Sequence, residues 1–225
     1  MERKILLKQL HDGLRQYFPA ALWQGSSQRR EIALTFDAGP NDQETPELLT
    51  LLDQYRVTAT FFHVGVRAAA APRLVKQVTA AGHQIGLHGY EHQSFLFKDS
   101  ATLCQELAES QRLLAEASGR SQTAFNAVRP PFGHFTPAIL QTLNDTGYLP
   151  TMWSLVPFHW LQSAEATVRQ VITGVDNGAI IVFHEGLPGP NVAKLTATIL
   201  PQLLAEGYRF VTIHEMWANL QRNMP

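Results

Sequence analysis

Short β-branched and aromatic runs recur along the chain at 31-37 (EIALTFD), 57-64 (VTATFFHV), 84-88 (QIGLH), 124-129 (AFNAVR), 149-155 (LPTMWSL), 179-184 (AIIVFH) and 209-213 (RFVTI). Helix-like segments lie between them, among them 44-55 and 191-206, and several close on the AG, EG or TG that ends a helix. Alternation of this kind calls for parallel strands joined by helical crossovers, and seven such units predict an α/β barrel, closed or nearly so, in a single domain. Residues 31-225 carry the pattern. Residues 1-30 read as an N-terminal amphipathic helix with a connector.

Parallel strands gather their carboxyl ends on one face, where ligands bind. Seven of the nine histidines fall at or just beyond those ends: His63, His88, His92, His134, His159, His184 and His214. The histidines therefore mark a site.

Composition narrows what that site serves. Only 16% of the 225 residues are charged and the net charge is -1, so no broad basic surface exists to recruit nucleic acid. The opening segment is broken by Lys8, His11, Asp12 and Arg15, which a signal peptide's apolar run excludes, so a soluble cytoplasmic chain without stable membrane insertion is expected. The single cysteine, Cys104, sits in a helical stretch and forms no intrachain disulfide.

Individual strand ends carry chemistry that can be read residue by residue. Asp37, before Gly39-Pro40, is a candidate general base, though an Asp before such a turn also serves as a cap. His88 and His92, four residues apart, can grip one divalent ion if the segment turns helically; two loop histidines in solvent are the alternative. Arg129 precedes Pro130-Pro131-Phe132-Gly133, a stiff turn in which the Phe132 N–H is free to donate and the guanidinium can fix a carboxylate. His184 ends the sixth strand as a candidate proton donor.

In chain order these elements resemble the polysaccharide deacetylase family, also called carbohydrate esterase family 4, over residues 31-215. The family's T-F-D-D-G-P is Thr35-Phe36-Asp37-Ala38-Gly39-Pro40 here, and H-[ST]-x-x-H is His88-Gly89-Tyr90-Glu91-His92. R-x-P-[YF]-G stands intact at 129-133, W-x-x-D-x-x-D-W becomes Trp153 to Trp160, and L-x-H is Val182-Phe183-His184. Ala59-Thr60-Phe61-Phe62 also looks like the family's second strand.

The resemblance implies a distorted (β/α)7 barrel and hydrolysis of the amide of an N-acetylated amino sugar. It makes Asp37 the base, Arg129 its orienting partner, the Phe132 N–H the oxyanion donor and His184 the acid. It implies a divalent metal, zinc or similar, on His88 and His92, and a saccharide pocket lined by Tyr90, Trp153, Phe158 and Trp160.

Three carboxylates of the family pattern are missing, and Gly89 lacks the hydroxyl of the second motif. Ala38 stands where the family has its metal-binding carboxylate, and Val156 and His159 replace the two carboxylates of the fourth motif. His63, ending the neighbouring strand, is the candidate replacement ligand. A non-catalytic carbohydrate-binding protein on the same fold is the competing reading.

Overall fold

A computed structural model describes residues 13–222. Seven parallel strands, β1 (Glu31–Gly39), β2 (Thr60–His63), β3 (Gln84–Leu87), β4 (Ala127–Val128), β5 (Leu149–Pro150), β6 (Ala179–His184) and β7 (Arg209–Phe210), form one sheet in the order β5-β4-β3-β2-β1-β6. β7 pairs only with the first two residues of β1. The sheet curls until Leu155, just beyond β5, bridges Ile181 of β6. The architecture is thus the expected distorted (β/α)7 barrel.

Helices cover the outside: α1 (Glu44–Tyr55), α2 (Gly65–Ala70), α3 (Pro72–Ala80), α4 (Ser100–Ser118), α5 (Pro137–Asp145), α6 (Ala164–Gly174), α7 (Val192–Ala205) and α8 (Ile213–Gln221). The two helices read from sequence at 44-55 and 191-206 appear as α1 and α7 within one residue at each end. Strand boundaries differ more. The 149-155 run keeps only two residues in β5, because after Thr151 the chain turns away from β4 and next meets the sheet at Leu155, whose N–H reaches Ile180 O at 3.1 Å.

Strand alternation divides the core into two layers. Ile32, Leu34, Phe36, Phe61, Ile85, Leu87, Ile181 and Phe183 face outward under the helices, where the Phe36 ring lies 5.0 Å from Phe61 and 6.3 Å from Phe183. Each such ring removes enough apolar surface to stabilise the fold by about 1.5–3 kcal/mol. Ala33, Phe62, Ala127, Ile180 and Val211 fill the barrel interior.

Gly86 on β3 is glycine because a Cβ there would come within 2.5 Å of the Phe62 ring, which lies inside the barrel. Gly86→Ala is expected to cost about 1–3 kcal/mol through overpacking, measurable by urea unfolding.

The N-terminal segment is only partly described. Residues 13–17 are helical, while the remainder of the amphipathic helix read from sequence, 1–12, lies outside the described residues. The stretch taken as a connector is packed: Leu22 bridges Thr151, and Ala21 and Trp23 are buried with Leu140 and Met152. Among the described residues no helix is long and apolar enough to cross a membrane. Cys104 is half-buried in α4 as a free thiol.

Candidate active site

β1 ends in a β-bulge. Asp37 pairs with Phe62 and Gly39 with His63, so Ala38 is the extra residue, and it adopts φ 64. A bulge residue re-aims the side chains around it, and a left-handed alanine carries about 1–2 kcal/mol of backbone strain. Asn and Asp occupy this region more readily than alanine does.

The strain is not isolated. Of the five described non-glycine residues with positive φ, four sit on strand-end loops of the mouth: Ala38, His92, Phe132 and Phe158. Such outliers cluster at functional sites. No sequence pattern announced them.

Asp37 is the centre of the arrangement. Its Oδ1 accepts from Arg129 Nη1 at 2.6 Å, with both side chains almost completely buried. Arg129 is itself clamped, because Nη1 also reaches Thr35 Oγ1 at 2.7 Å and Nη2 reaches Met152 O at 2.8 Å, while its guanidinium carbon lies 4.1 Å from the Phe62 ring centroid. Burial lowers the Arg129 pKa and the Asp37 charge pulls it back up, which leaves a cation held in an otherwise dry pocket. The resemblance implies that Arg129 orients Asp37, and the two groups lie in direct contact.

Asp37 Oδ2 faces His88 Nε2 at 4.0 Å. The other ring nitrogen of His88, Nδ1, meets Arg129 O at 2.8 Å, which puts the proton on Nδ1 and leaves the Nε2 lone pair toward the mouth. Burial pushes the His88 pKa down to about 4, so the imidazole is neutral at neutral pH. His92 lies beside it, its ring tilted by 57° with centroids 4.9 Å apart, and also has a lowered pKa, first through burial and then through Arg67.

The third side of the mouth comes from β6, where Asp37 pairs directly with His184. The Trp160 ring lies edge-on to His184 at 4.7 Å, and Phe158 lies 5.5 Å from Trp160. Burial lowers the His184 pKa, with Asp37 raising it and Arg129 lowering it. His159, in the place of a carboxylate, stacks on the His184 imidazole with centroids 6.0 Å apart but makes no hydrogen bond to its ring nitrogens. Its Nε2 accepts the His184 main-chain N–H at 3.1 Å, and His184 Nδ1 is left buried without a partner.

On the opposite rim, the Phe132 ring sits 4.8 Å from His92, and the Phe132 N–H donates to no acceptor among the described residues. The adjoining turn closes through Gly133 N–H to Pro130 O at 3.0 Å.

One sequence expectation needs correction. His63 is not a third ligand, because strand parity turns it outward with Phe61, its ring 6.2 Å away, while Thr60 and Phe62 face in. Both its ring nitrogens are buried without partners, and burial takes its pKa down to about 3. Tyr90 lies over Gly65 at the start of α2. Trp153 packs against Gly133, and its ring centroid lies 6.0 Å from the Arg129 guanidinium carbon.

Two other strand-end histidines resolve differently. His134 accompanies Phe132 at the rim, with Ser94 Oγ 3.3 Å from its Nδ1. His214 belongs to the opposite end of the barrel: β7 reaches only the start of β1, and His214 meets Gln84 and Asn126 there.

Comparison with known proteins agrees with this geometry. The polysaccharide deacetylase family model matches residues 24–151. A peptidoglycan-N-acetylglucosamine deacetylase from Bacillus cereus is 35% identical over 86% of this chain and 91% of its own. The chain therefore belongs to the polysaccharide deacetylase family.

Among solved structures, a peptidoglycan N-acetylglucosamine deacetylase bound to 4-naphthalen-1-yl-N-oxidanyl-benzamide superposes with TM-score 0.81 at 30% identity, covering 88% of this chain and 92% of its own. A family 4 acetyl xylan esterase from Clostridium thermocellum, in complex with a cobalt ion, gives 0.76 at 29%, covering 87% and 93%. A family 4 pseudoenzyme from Bacillus anthracis shares the fold at TM-score 0.81 and 22% identity, covering 89% and 70%.

Metal use is general in this family, but the donors of this chain do not fit a complete catalytic set. Among the described residues no three His, Cys, Asp or Glu side chains are grouped to hold an ion. His88 and His92 supply two nitrogens, the Ala38 methyl supplies nothing, and a catalytic zinc takes three protein ligands.

Proposed function

We propose that this protein hydrolyses the amide of an N-acetylated amino sugar, releasing acetate, at a rate held down by the missing third metal ligand. The buried Asp37–Arg129 pair, adjacent in register to His184, is the observation that carries the reading. Such a costly buried pair is retained where geometry matters, and here it lies at the mouth.

The groups of the chain suffice to outline the chemistry. Asp37 takes a proton from water as its oxygen attacks the acyl carbon, Arg129 holding the carboxylate in place. The Phe132 N–H faces the tetrahedral oxyanion. The carbon–nitrogen bond then breaks as His184 protonates the departing amine, which leaves acetate and a free amino sugar. Phe158 and Trp160 form an aromatic wall for the sugar's apolar face.

Asp37→Asn is expected to lower acetate release from an N-acetylglucosamine oligomer by about 10²–10⁴-fold. The acid role of His184 fixes the pH dependence. An acid must be protonated, and burial holds the His184 pKa below the ordinary 6.5, so turnover should fall as pH rises through neutrality. A pH profile of kcat that rises steadily from pH 5 to 8 would remove His184 from this role.

A second reading, a non-catalytic saccharide-binding protein, is favoured by Ala38 and by the orphaned His184 Nδ1. It predicts saturable oligomer binding with no acetate release under any metal.

A further inference from the structure

We infer that Glu185 is a positioning residue for this site, and that it works as the uncharged acid from behind the mouth. The inference rests on the catalytic roles proposed above for Asp37 and His184. Glu185 directly follows His184, and strand alternation turns its side chain away from the mouth, into the wedge between the β1 bulge and the start of α1.

Three contacts tie it to the segments that carry the chemistry. Its main-chain N–H donates to Asp37 O at 2.9 Å. Its Oε2 accepts the Thr45 hydroxyl, and Thr45 in turn accepts the Asn41 N–H at 2.8 Å, which secures the loop between β1 and α1. Its Oε1 fills the space above Gly39 that a Cβ would need, so the glycine beside Ala38 is there to admit this carboxyl. One side chain thus fastens the ends of β1 and β6.

The surroundings favour the neutral form. Glu185 is 1% exposed and Oε1 has no hydrogen-bond partner, so a carboxylate would be a buried and largely uncompensated charge. The facing groups are Glu44 from α1, the Thr45 hydroxyl, Arg67 from α2 and His63 from β2, which also approaches the space above Gly39. Arg67 does not pair with it but donates to Ala38 O. His63 is itself buried with both nitrogens unpartnered, and a neutral imidazole beside a neutral carboxyl adds no charge to the wedge. Burial, reinforced by Glu44, raises the Glu185 pKa from 4.5 to about 8, against the Thr45 hydroxyl, the Asn41 main-chain N–H and Arg67, all of which favour the carboxylate.

The test compares wild type with Glu185→Gln, which keeps shape but cannot ionise, and Glu185→Ala, which keeps neither bond nor volume. Sign follows from linkage: a carboxyl whose folded pKa exceeds its unfolded value contributes fully below the unfolded pKa and loses that contribution as pH climbs to the folded one. The Tm of Glu185→Gln should therefore gain on wild type between pH 5 and about 8 and keep a constant lead above it. A Tm difference independent of pH over that range overturns the inference.

Activity supplies the second readout. Acetate release by Glu185→Gln should match wild type at pH 7 and, above pH 8, where turnover of both falls with His184, should fall less steeply than that of wild type, while Glu185→Ala should lower kcat by about tenfold or more with KM unchanged, as misplaced catalytic groups do. If Glu185→Gln loses activity as Glu185→Ala does, the uncharged-acid role is wrong. Absence of acetate from every variant, with the pH-dependent Tm difference intact, would instead count against the deacetylase reading alone.

Discussion

Ala38→Asp is expected to raise zinc or cobalt affinity by well over about 100-fold, more than is lost when a metal site is deprived of a mere supporting partner. The backbone is already set for it. Ala38 occupies the bulge at φ 64, where aspartate is better tolerated than alanine, and His88 is already neutral with its Nε2 lone pair toward the mouth. A carboxylate there completes a three-donor set with His88 and His92 and brings the negative charge that two imidazoles lack. Calorimetric titration of wild type and variant with zinc measures the difference, and acetate release in the same samples should rise with it. Equal affinities would mean that Ala38 does not lie at the metal position.

Arg129→Met should be the most destabilising single change at the site, at about 3–5 kcal/mol, because it strands Asp37 as a buried unpaired carboxylate. For a chain of this size that loss lowers Tm by about 10 °C. Adding Asp37→Asn to Arg129→Met should recover part of it, since the stranded charge disappears. A double-mutant cycle by thermal unfolding reads the coupling. Strict additivity would show that the 2.6 Å contact contributes little.

Much of the fold was legible because two periodicities alternate without ambiguity. The 44-55 and 179-184 stretches were placed almost to the residue, one by helical spacing and helix punctuation, the other by an unbroken β-branched run. The 149-155 run was not, since departure from the sheet after Thr151 depends on where Leu155 can rejoin β6, a tertiary contact without local signature.

The site divides in the same way. Asp37, Arg129, His88, His92 and His184 converge because each ends or follows a parallel strand and shares its inward parity. His63 also ends a strand but has the opposite parity, because Phe62 rather than Phe61 faces the barrel interior, and two adjacent phenylalanines give a count along the chain no way to choose. His214 misled for a different reason, because β7 is too short to carry it to the mouth. Glu185 had no motif to mark it. Its signal, an acid directly after an apolar strand and histidine, becomes meaningful only once Gly39 and Thr45 are seen around it.

The central claim is that the hydrolytic groups survive in a site lacking one metal ligand. Acetate release from an N-acetylglucosamine oligomer, followed for wild type, Asp37→Asn and Ala38→Asp with and without added zinc, tests it most directly. Wild type should release acetate slowly, Asp37→Asn should abolish that release, and Ala38→Asp should release it well above wild type in a zinc-dependent way. No release by wild type or by zinc-loaded Ala38→Asp would contradict the claim.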